Sequence, residues 1–257
     1  MSIINCKYCE ERVDTDTHAE HEDECREEQP YSIVWDLETT GFVAPAAKIL
    51  EIGCFIIRGD EVERKHWVLD NKVEIPERIV EITGITQEII DKEGRDPKEC
   101  LDEFLPLFKD CEQNITHNGV KFDINFLVNY AADVLGWNTE QKETVRSLIR
   151  LTAYDTAVHF KAKKLDMSRM DREHFINFAE RVMEVRAYGV HFNLGLCIEE
   201  CGIELDLVQH RAMADVELTH ALYKHIHHVC CDGECHHDDC CGKVEANCPH
   251  FNSDAVS

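Results

Sequence analysis

The stretch Ser32–Gly41, SIVWDLETTG, limits what this chain can fold into more than any other. Ser32, Ile33, Val34 and Trp35 have strand character, Asp36, Leu37 and Glu38 carry the pattern on, and Thr39-Thr40-Gly41 breaks it. Side chains alternate across a strand, so Asp36 and Glu38 project from the same side. A pair of carboxylates therefore stands at the open end of an apolar strand. Anions that close repel each other unless protons or cations sit between them, and an oxygen-rich site suits Mg²⁺ or Mn²⁺. Taken alone, D-x-E reads equally well as a solvated acidic turn, and the rest of the chain has to decide.

Composition narrows the partners. The chain has 257 residues, enough for one medium domain with small appendages, and its 44% hydrophobic residues against 30% charged ones describe a globular protein. Its formal net charge is −24. A protein that grips long duplex nucleic acid carries a basic stripe to displace counterions, and no such excess exists here. Contact with nucleic acid has to be local, bridged by metal or assisted by a partner. Residues 1–30 hold 3 basic and 10 acidic residues, and residues 229–257 hold 1 and 6, so both ends are more acidic than the centre. The N-terminus, MSIINCKYCEER, lacks the apolar stretch of a secretion signal, and no run approaches the roughly 18 apolar residues of a membrane span. The 14 cysteines are accordingly expected as reduced thiols inside the cell, some of them metal ligands.

Cys6, Cys9, His21 and Cys25 form a C-x2-C and H-x3-C pattern, its second pair spaced to share a helix face. Four such ligands suit tetrahedral Zn²⁺, and a unit this poor in apolar residues needs a metal in order to fold. His18 is an alternative fourth ligand. The pattern resembles the small C2HC fingers of the ubiquitin-binding type, whose H-x-D-x-C half is matched by His21-Glu22-Asp23-Glu24-Cys25. Glu22 and His18 depart from it, standing where that family has apolar residues. Residues 1–29 are expected to be a finger that docks onto a protein, with Glu27–Pro30 as linker. At the other end, residues 229–257 crowd Cys230, Cys231, Cys235, Cys240, Cys241 and Cys248 with His236, His237 and His250, a density that predicts a second zinc-binding extension.

Between the ends, Ile49–Ile57 reads as an apolar strand, Arg58-Gly59-Asp60 as a turn and Val62–Leu69 as the return strand. Proline starts a helical turn over Ile79–Ile82, stopped by Thr83-Gly84, with Ile85 on the loop beyond. A helix is expected over Pro97–Lys109, a strand over Asn114–Asn118, and a helix from Asp123 to about Leu135. Residues 139–150 read as helix, Leu151–Tyr154 as a brief strand, and Asp155-Thr156 as the start of another helix. Helices over Phe175–Ala187 and Leu194–Cys201 follow, and Gln209–Asp215 opens the last. Cys54, Cys197 and Cys201 read as core. Lys161, Lys163, Lys164, Arg169 and Arg172 form the main basic cluster, expected as a solvated face and the place for any phosphate contacts.

Asp36-x-Glu38, Ile82–Thr86 (ITGIT), His117-Asn118 before Phe122-Asp123, Tyr154-Asp155-Thr156, and His210 five residues before Asp215 occur in an order that resembles the histidine-containing (DEDDh) branch of the DEDD 3′→5′ exonucleases. That branch includes proofreading subunits and ribonuclease T, and the resemblance spans residues 31–228. It implies a ribonuclease-H-like α/β fold, a five-stranded mixed sheet flanked by helices. It further implies that Asp36, Glu38, Asp123 and Asp215 hold two Mg²⁺ or Mn²⁺ ions and that His210 is the general base. Thr83, Gly84 and Ile85 would pack against the terminal base, backbone near Thr39 and Thr40 would meet the 3′-nucleotide, and Asn118 would approach the sugar. The chemistry is coherent, because paired cations can activate water, clamp the transition-state charge and stabilise the leaving oxygen, while a histidine takes the proton. The expected activity is release of nucleoside 5′-monophosphates from single-stranded 3′ ends, DNA before RNA. A ribonuclease-T-type exoribonuclease and a non-catalytic zinc-finger adaptor are the alternatives.

Overall fold

A computed structural model describes residues 3–204 and 210–229. At the N-terminus, β1 (Ile3–Asn5) pairs antiparallel with β2 (Arg12–Asp14), and α1 (His18–Glu28) follows. No residue of α1 is buried, so its own side chains supply no core.

The central sheet begins with a meander. β3 (Ser32–Thr39) pairs antiparallel with β4 (Ile49–Arg58), which pairs antiparallel with β5 (Glu61–Val68). A register shift between Glu38 and Thr39 ends the regular ladder just past the two acids. α2 (Glu77–Thr83) closes on Gly84, whose φ of 68° is the left-handed conformation that glycine adopts without strain. A short helix not expected from the sequence, α3 (Gln87–Glu93), comes next, its N-terminus capped by the Thr86 hydroxyl, which accepts from the Ile89 amide. The expected helix over Pro97–Lys109 divides into α4 (Pro97–Phe104) and a 3-10 turn (Leu105–Phe108). Pro106 has no N–H to continue the α ladder.

β6 (Gln113–Thr116) runs parallel to β3, and α5 (Asp123–Leu135) and α6 (Thr139–Leu151) lead to β7 (Ala153–Asp155), parallel to β6. α7 (Thr156–Lys164), α8 (Phe175–Glu184), α9 (Leu194–Glu200) and α10 (Ala212–Val229) complete the described chain. Strand order is β5-β4-β3-β6-β7, the five-stranded mixed sheet expected from the sequence.

Packing explains the strand sequences. β4 is apolar along almost its whole length because it is central and covered on both faces, so its side chains have no solvent side to face. On one face Trp35 meets Phe104 and Phe108 edge-on, at ring distances of 5.7 and 5.3 Å, and Trp67 joins Phe104 at 5.4 Å. Removing one such ring costs about 3–5 kcal/mol, which makes this face scaffold. Asp36 points to the opposite face, where α10 crosses β3 and β4. Cys54 and Cys197 are buried in separate core clusters and Cys201 packs against that of Cys197, as expected of core residues.

The basic cluster forms the expected solvated face at Lys163, Lys164 and Arg172, which are exposed, but not at Lys161. Lys161 is only 4% exposed, its ammonium donating to the Met183 carbonyl at 3.0 Å and lying 5.1 Å over the Phe192 ring. Lys164 is tied to Glu200 and to the His191 carbonyl. The aliphatic stem of a lysine packs like a hydrophobe, which charge counting along the sequence overlooks.

Candidate active site

Three carboxylates converge where β3 ends. Asp36, Glu38 and Asp215 each present an oxygen, and these atoms lie within 4.8 Å of one another. β3 supplies the first two from one face, and the first turn of α10 supplies the third. Asp123, in the first turn of α5, is buried beside them without belonging to that closest group.

Electrostatics records the crowding. Burial first, and then the charges of Asp123, Asp215 and Glu38, push the Asp36 carboxyl well above the usual range. Glu38 rises to about 8, through burial and the charges of Asp215, Glu51 and Asp123. Asp123 rises to about 7, through burial and the nearby Asp155, although its own amide and that of Leu37 bond to it. Burial also raises Asp215, opposed by the His210 amide. Mutual repulsion of this kind is what a bound cation relieves.

The donor set fits hard divalent ions, since every group is a carboxylate. Asp215 adds a sharper sign, because its Oδ1 is buried with no hydrogen-bond partner among the described residues while its Oδ2 accepts from the His210 amide at 3.1 Å. A buried carboxylate oxygen without a donor is costly unless a cation faces it.

His210 lies two residues before the start of α10. It is exposed, adopts a left-handed backbone with φ of 69°, and sits at the rim of the acids with its N–H on Asp215. Residues 205–209 before it lie outside the described part.

The loop between β6 and α5 is pinned from below. Asp155, fully buried, accepts from the amides of Asn118 (2.8 Å), Val120 (3.0 Å), Ala157 (3.0 Å) and Val158 (3.4 Å), which caps α7 and holds Asn118 at φ 66°. β6 therefore stops at Thr116, two residues short of the expected end, so that His117 and Asn118 belong to the turn leading to Asp123. His117 Nε2 lies 2.8 Å from the Phe192 carbonyl, an acceptor only, which assigns the proton to Nε2 and makes Nδ1 the acceptor toward Thr156 Oγ1 at 2.8 Å. Burial holds this imidazole down at about 4, so it is neutral and structural.

Among the expected substrate contacts, Thr39 Oγ1 donates to the Gly41 carbonyl and Thr40 Oγ1 accepts from the Lys48 amide, both shaping the loop beside the acids. Gly84 is exposed. Ile85 is corrected: it is 0% exposed and packs with Leu50, Val68, Ile75 and Ile90, leaving no face for a nucleobase. Thr83 is buried too, its hydroxyl donating to the Ile79 carbonyl and accepting from the Ile85 amide. The isoleucine that α2 leaves in solvent is Ile82, 45% exposed.

Sequence reasoning also passed over Phe42, which is 88% exposed and stands 6.3 Å from the ring of Phe122, the neighbour of Asp123. It missed Glu51 and Arg211 as well. The available signal was a lone acid inside the apolar run of β4.

A second cluster lies at the N-terminus. Cys6, Cys9, His21 and Cys25 place their ligand atoms within 4.8 Å of one another, with His21 Nε2 3.2 Å from the Cys9 sulfur and 3.4 Å from that of Cys25. His18 is turned away, toward the Asn5 carbonyl and Glu22, so the alternative ligand is excluded from this group. Lys7 and the Tyr8 hydroxyl both bond Glu61 at the start of β5, fixing this unit to the sheet. Cys230, Cys231, Cys235, Cys240, Cys241 and Cys248 lie outside the described residues. No described helix is long and apolar enough to cross a membrane.

A family model for exonucleases of the RNase T type matches residues 33–223. The chain belongs to this exonuclease family. Membership implies a nuclease that depends on divalent metal ions. The exonuclease domain is 32% identical over 170 residues to the PolC-type DNA polymerase III of Thermotoga maritima, covering 60% of this chain and 12% of that protein. Over 95 residues it is 34% identical to the 3′-5′ exonuclease DinG of Staphylococcus epidermidis, covering 37% of this chain and 10% of the relative. The chain thus spans only a small part of these relatives. Its fold is that of E. coli exonuclease I, solved in complex with a dA16 oligonucleotide, with a TM-score of 0.58 at 18% identity over 77% of this chain and 41% of the other.

Proposed function

We propose that the exonuclease domain, residues 31–228, releases nucleoside 5′-monophosphates one at a time from single-stranded 3′ ends, with DNA preferred over RNA. The observation that carries this reading is the convergence of Asp36, Glu38 and Asp215 within 4.8 Å, with Asp123 buried alongside. A nest of acids on a chain of net charge −24 repels a polyanion unless cations intervene. Two Mg²⁺ or Mn²⁺ ions held by Asp36, Glu38, Asp123 and Asp215 would supply water activation and stabilise charge on the phosphoryl and leaving oxygens.

The chain's own groups do the rest. His210 is the general base, taking a proton from the attacking water as the new O–P bond forms. The bond from phosphorus to the 3′-oxygen of the penultimate nucleotide breaks, its electron pair leaves on that oxygen, and a solvent proton completes the new 3′ end. Thr39, Thr40, Gly84 and Asn118 border the terminal nucleotide, whereas Thr83 and Ile85 are buried behind the rim and do not touch it. The preference for DNA draws on the PolC-type relatives and on the oligonucleotide bound by E. coli exonuclease I. Cys6, Cys9, His21 and Cys25 hold a structural Zn²⁺ in a finger that serves protein docking.

The test is release of mononucleotides from matched 3′-tailed DNA and RNA oligonucleotides with Mg²⁺ or Mn²⁺, beside Asp36→Ala. Release from the 3′ end, faster on DNA and abolished in the variant, is expected. Equal release by the variant sinks the active-site assignment, and no release from either polymer leaves the adaptor reading in its place.

A further inference from the structure

Glu51 is a charged residue at 0% exposure near the start of β4. It stands opposite Glu38 in the β3–β4 ladder, and so on the catalytic face, with Gly53 opposite Asp36. Its carboxylate accepts from Arg211 Nε at 3.0 and 3.1 Å and also from Arg211 Nη2. The Ala212 amide donates to it at 3.2 Å, and His66 Nε2 lies 3.2 Å away. Arg211 and Ala212 are the two residues that follow His210.

Gly53 completes the contact. A Cβ there would lie 2.6 Å from the Ala212 carbonyl carbon and 2.9 Å from the Met213 nitrogen, so no larger residue lets α10 start this close to the sheet. The first turn of α10, which carries Asp215, is thus held to β4 by one side chain and one missing side chain. His210 itself occupies a left-handed backbone, which a residue with a Cβ keeps only when its surroundings impose it. Its constraints are the bond from its N–H to Asp215 and the anchoring of its neighbour to Glu51.

We propose that the Glu51–Arg211 pair is a positioning device for hydrolysis: it fixes the backbone of His210, and through α10 the carboxylate of Asp215, in register with Asp36 and Glu38. The proposal rests on the assignment of His210 as general base. Glu51 has no access to substrate, so its role is to place other groups.

Steady-state kinetics on 3′-tailed single-stranded DNA with Mg²⁺, together with thermal melting, test this in the full chain. The set is Glu51→Gln, Arg211→Met, the double variant Glu51→Gln/Arg211→Met, Arg211→Lys and His210→Ala. Glu51→Gln and Arg211→Met are each expected to lower kcat about 10²-fold, the cost of misplacing a reacting group by about an ångström, with little change in KM. The double variant buries no lone charge, so its melting temperature returns toward wild type while its kcat stays low. Arg211→Lys keeps the charge and loses the paired fork, and gives an intermediate kcat. If kcat recovers together with stability in the double variant, or is wild type in Arg211→Lys, the pair is only structural and the proposal is overturned. A wild-type turnover in His210→Ala overturns the general-base assignment, and the clamp with it. Loss of turnover in His210→Ala with recovery in the double variant refutes the clamp alone.

Discussion

Stripped of divalent ions, the protein should lose stability as pH rises from about 5 to about 8, the reverse of the usual behaviour of paired carboxylates. The folded-state values lie above the unfolded ones: Glu38 moves from 4.5 to about 8 and Asp123 from 3.8 to about 7. Between those limits the folded chain binds more protons than the unfolded one, so stability is full at the acid end and falls as the groups ionise. At a pH about three units above the ordinary value of Glu38, its shift alone corresponds to about 4 kcal/mol at 1.36 kcal/mol per unit. Coupling among the acids and entry of water reduce the net effect to about 2–4 kcal/mol, or about 5–15 °C in melting temperature for a chain of this size. Calorimetry of chelator-treated protein across that window, with and without saturating Mg²⁺, reads it directly. Mg²⁺ should raise the melting temperature far more at the alkaline end than at the acid end, and Glu38→Gln should shrink both the slope and the gain. A melting temperature that is flat or rising with pH in the metal-free protein, or an Mg²⁺ gain equal at both ends, would refute the argument from repulsion.

Ile85→Ala should cost about 2–5 kcal/mol of stability with kcat little changed on folded protein, because the side chain fills a core cluster; a large rise in KM at unchanged stability would restore it as a base contact. Cys25→Ser should remove one zinc per chain by elemental analysis while sparing hydrolysis of short oligonucleotides. Equal zinc in variant and wild type would dismiss the N-terminal cluster as a metal site.

Local patterns made much of this protein legible before any coordinates. The alternation in SIVWDLET fixes which side chains share a face, so Asp36 and Glu38 had to project together wherever the strand went. The apolar run of β4, interrupted only by Glu51 and Gly53, announced a strand, and the C-x2-C and H-x3-C spacing placed four ligands that do gather. Short elements were harder. α3, with seven residues and a single threonine cap, has too weak a period to stand out, and the end of β6 depends on Asp155, thirty-seven residues beyond Asn118.

What depended on distance along the chain was decided only by the tertiary structure. Ile85 and Ile82 are chemically alike and three residues apart, yet one faces Leu50 and Val68 and the other faces water, which no local rule distinguishes. Glu51 looked like an interruption in a strand until Arg211, 160 residues later, was folded onto it. Sequence alone determined the strands, the caps and the chemical types at the site, because those follow from bonds and periods within a few residues. Which acids meet, which lysine is buried and what holds the histidine follow from long-range packing, where the surroundings of each side chain come from the rest of the fold.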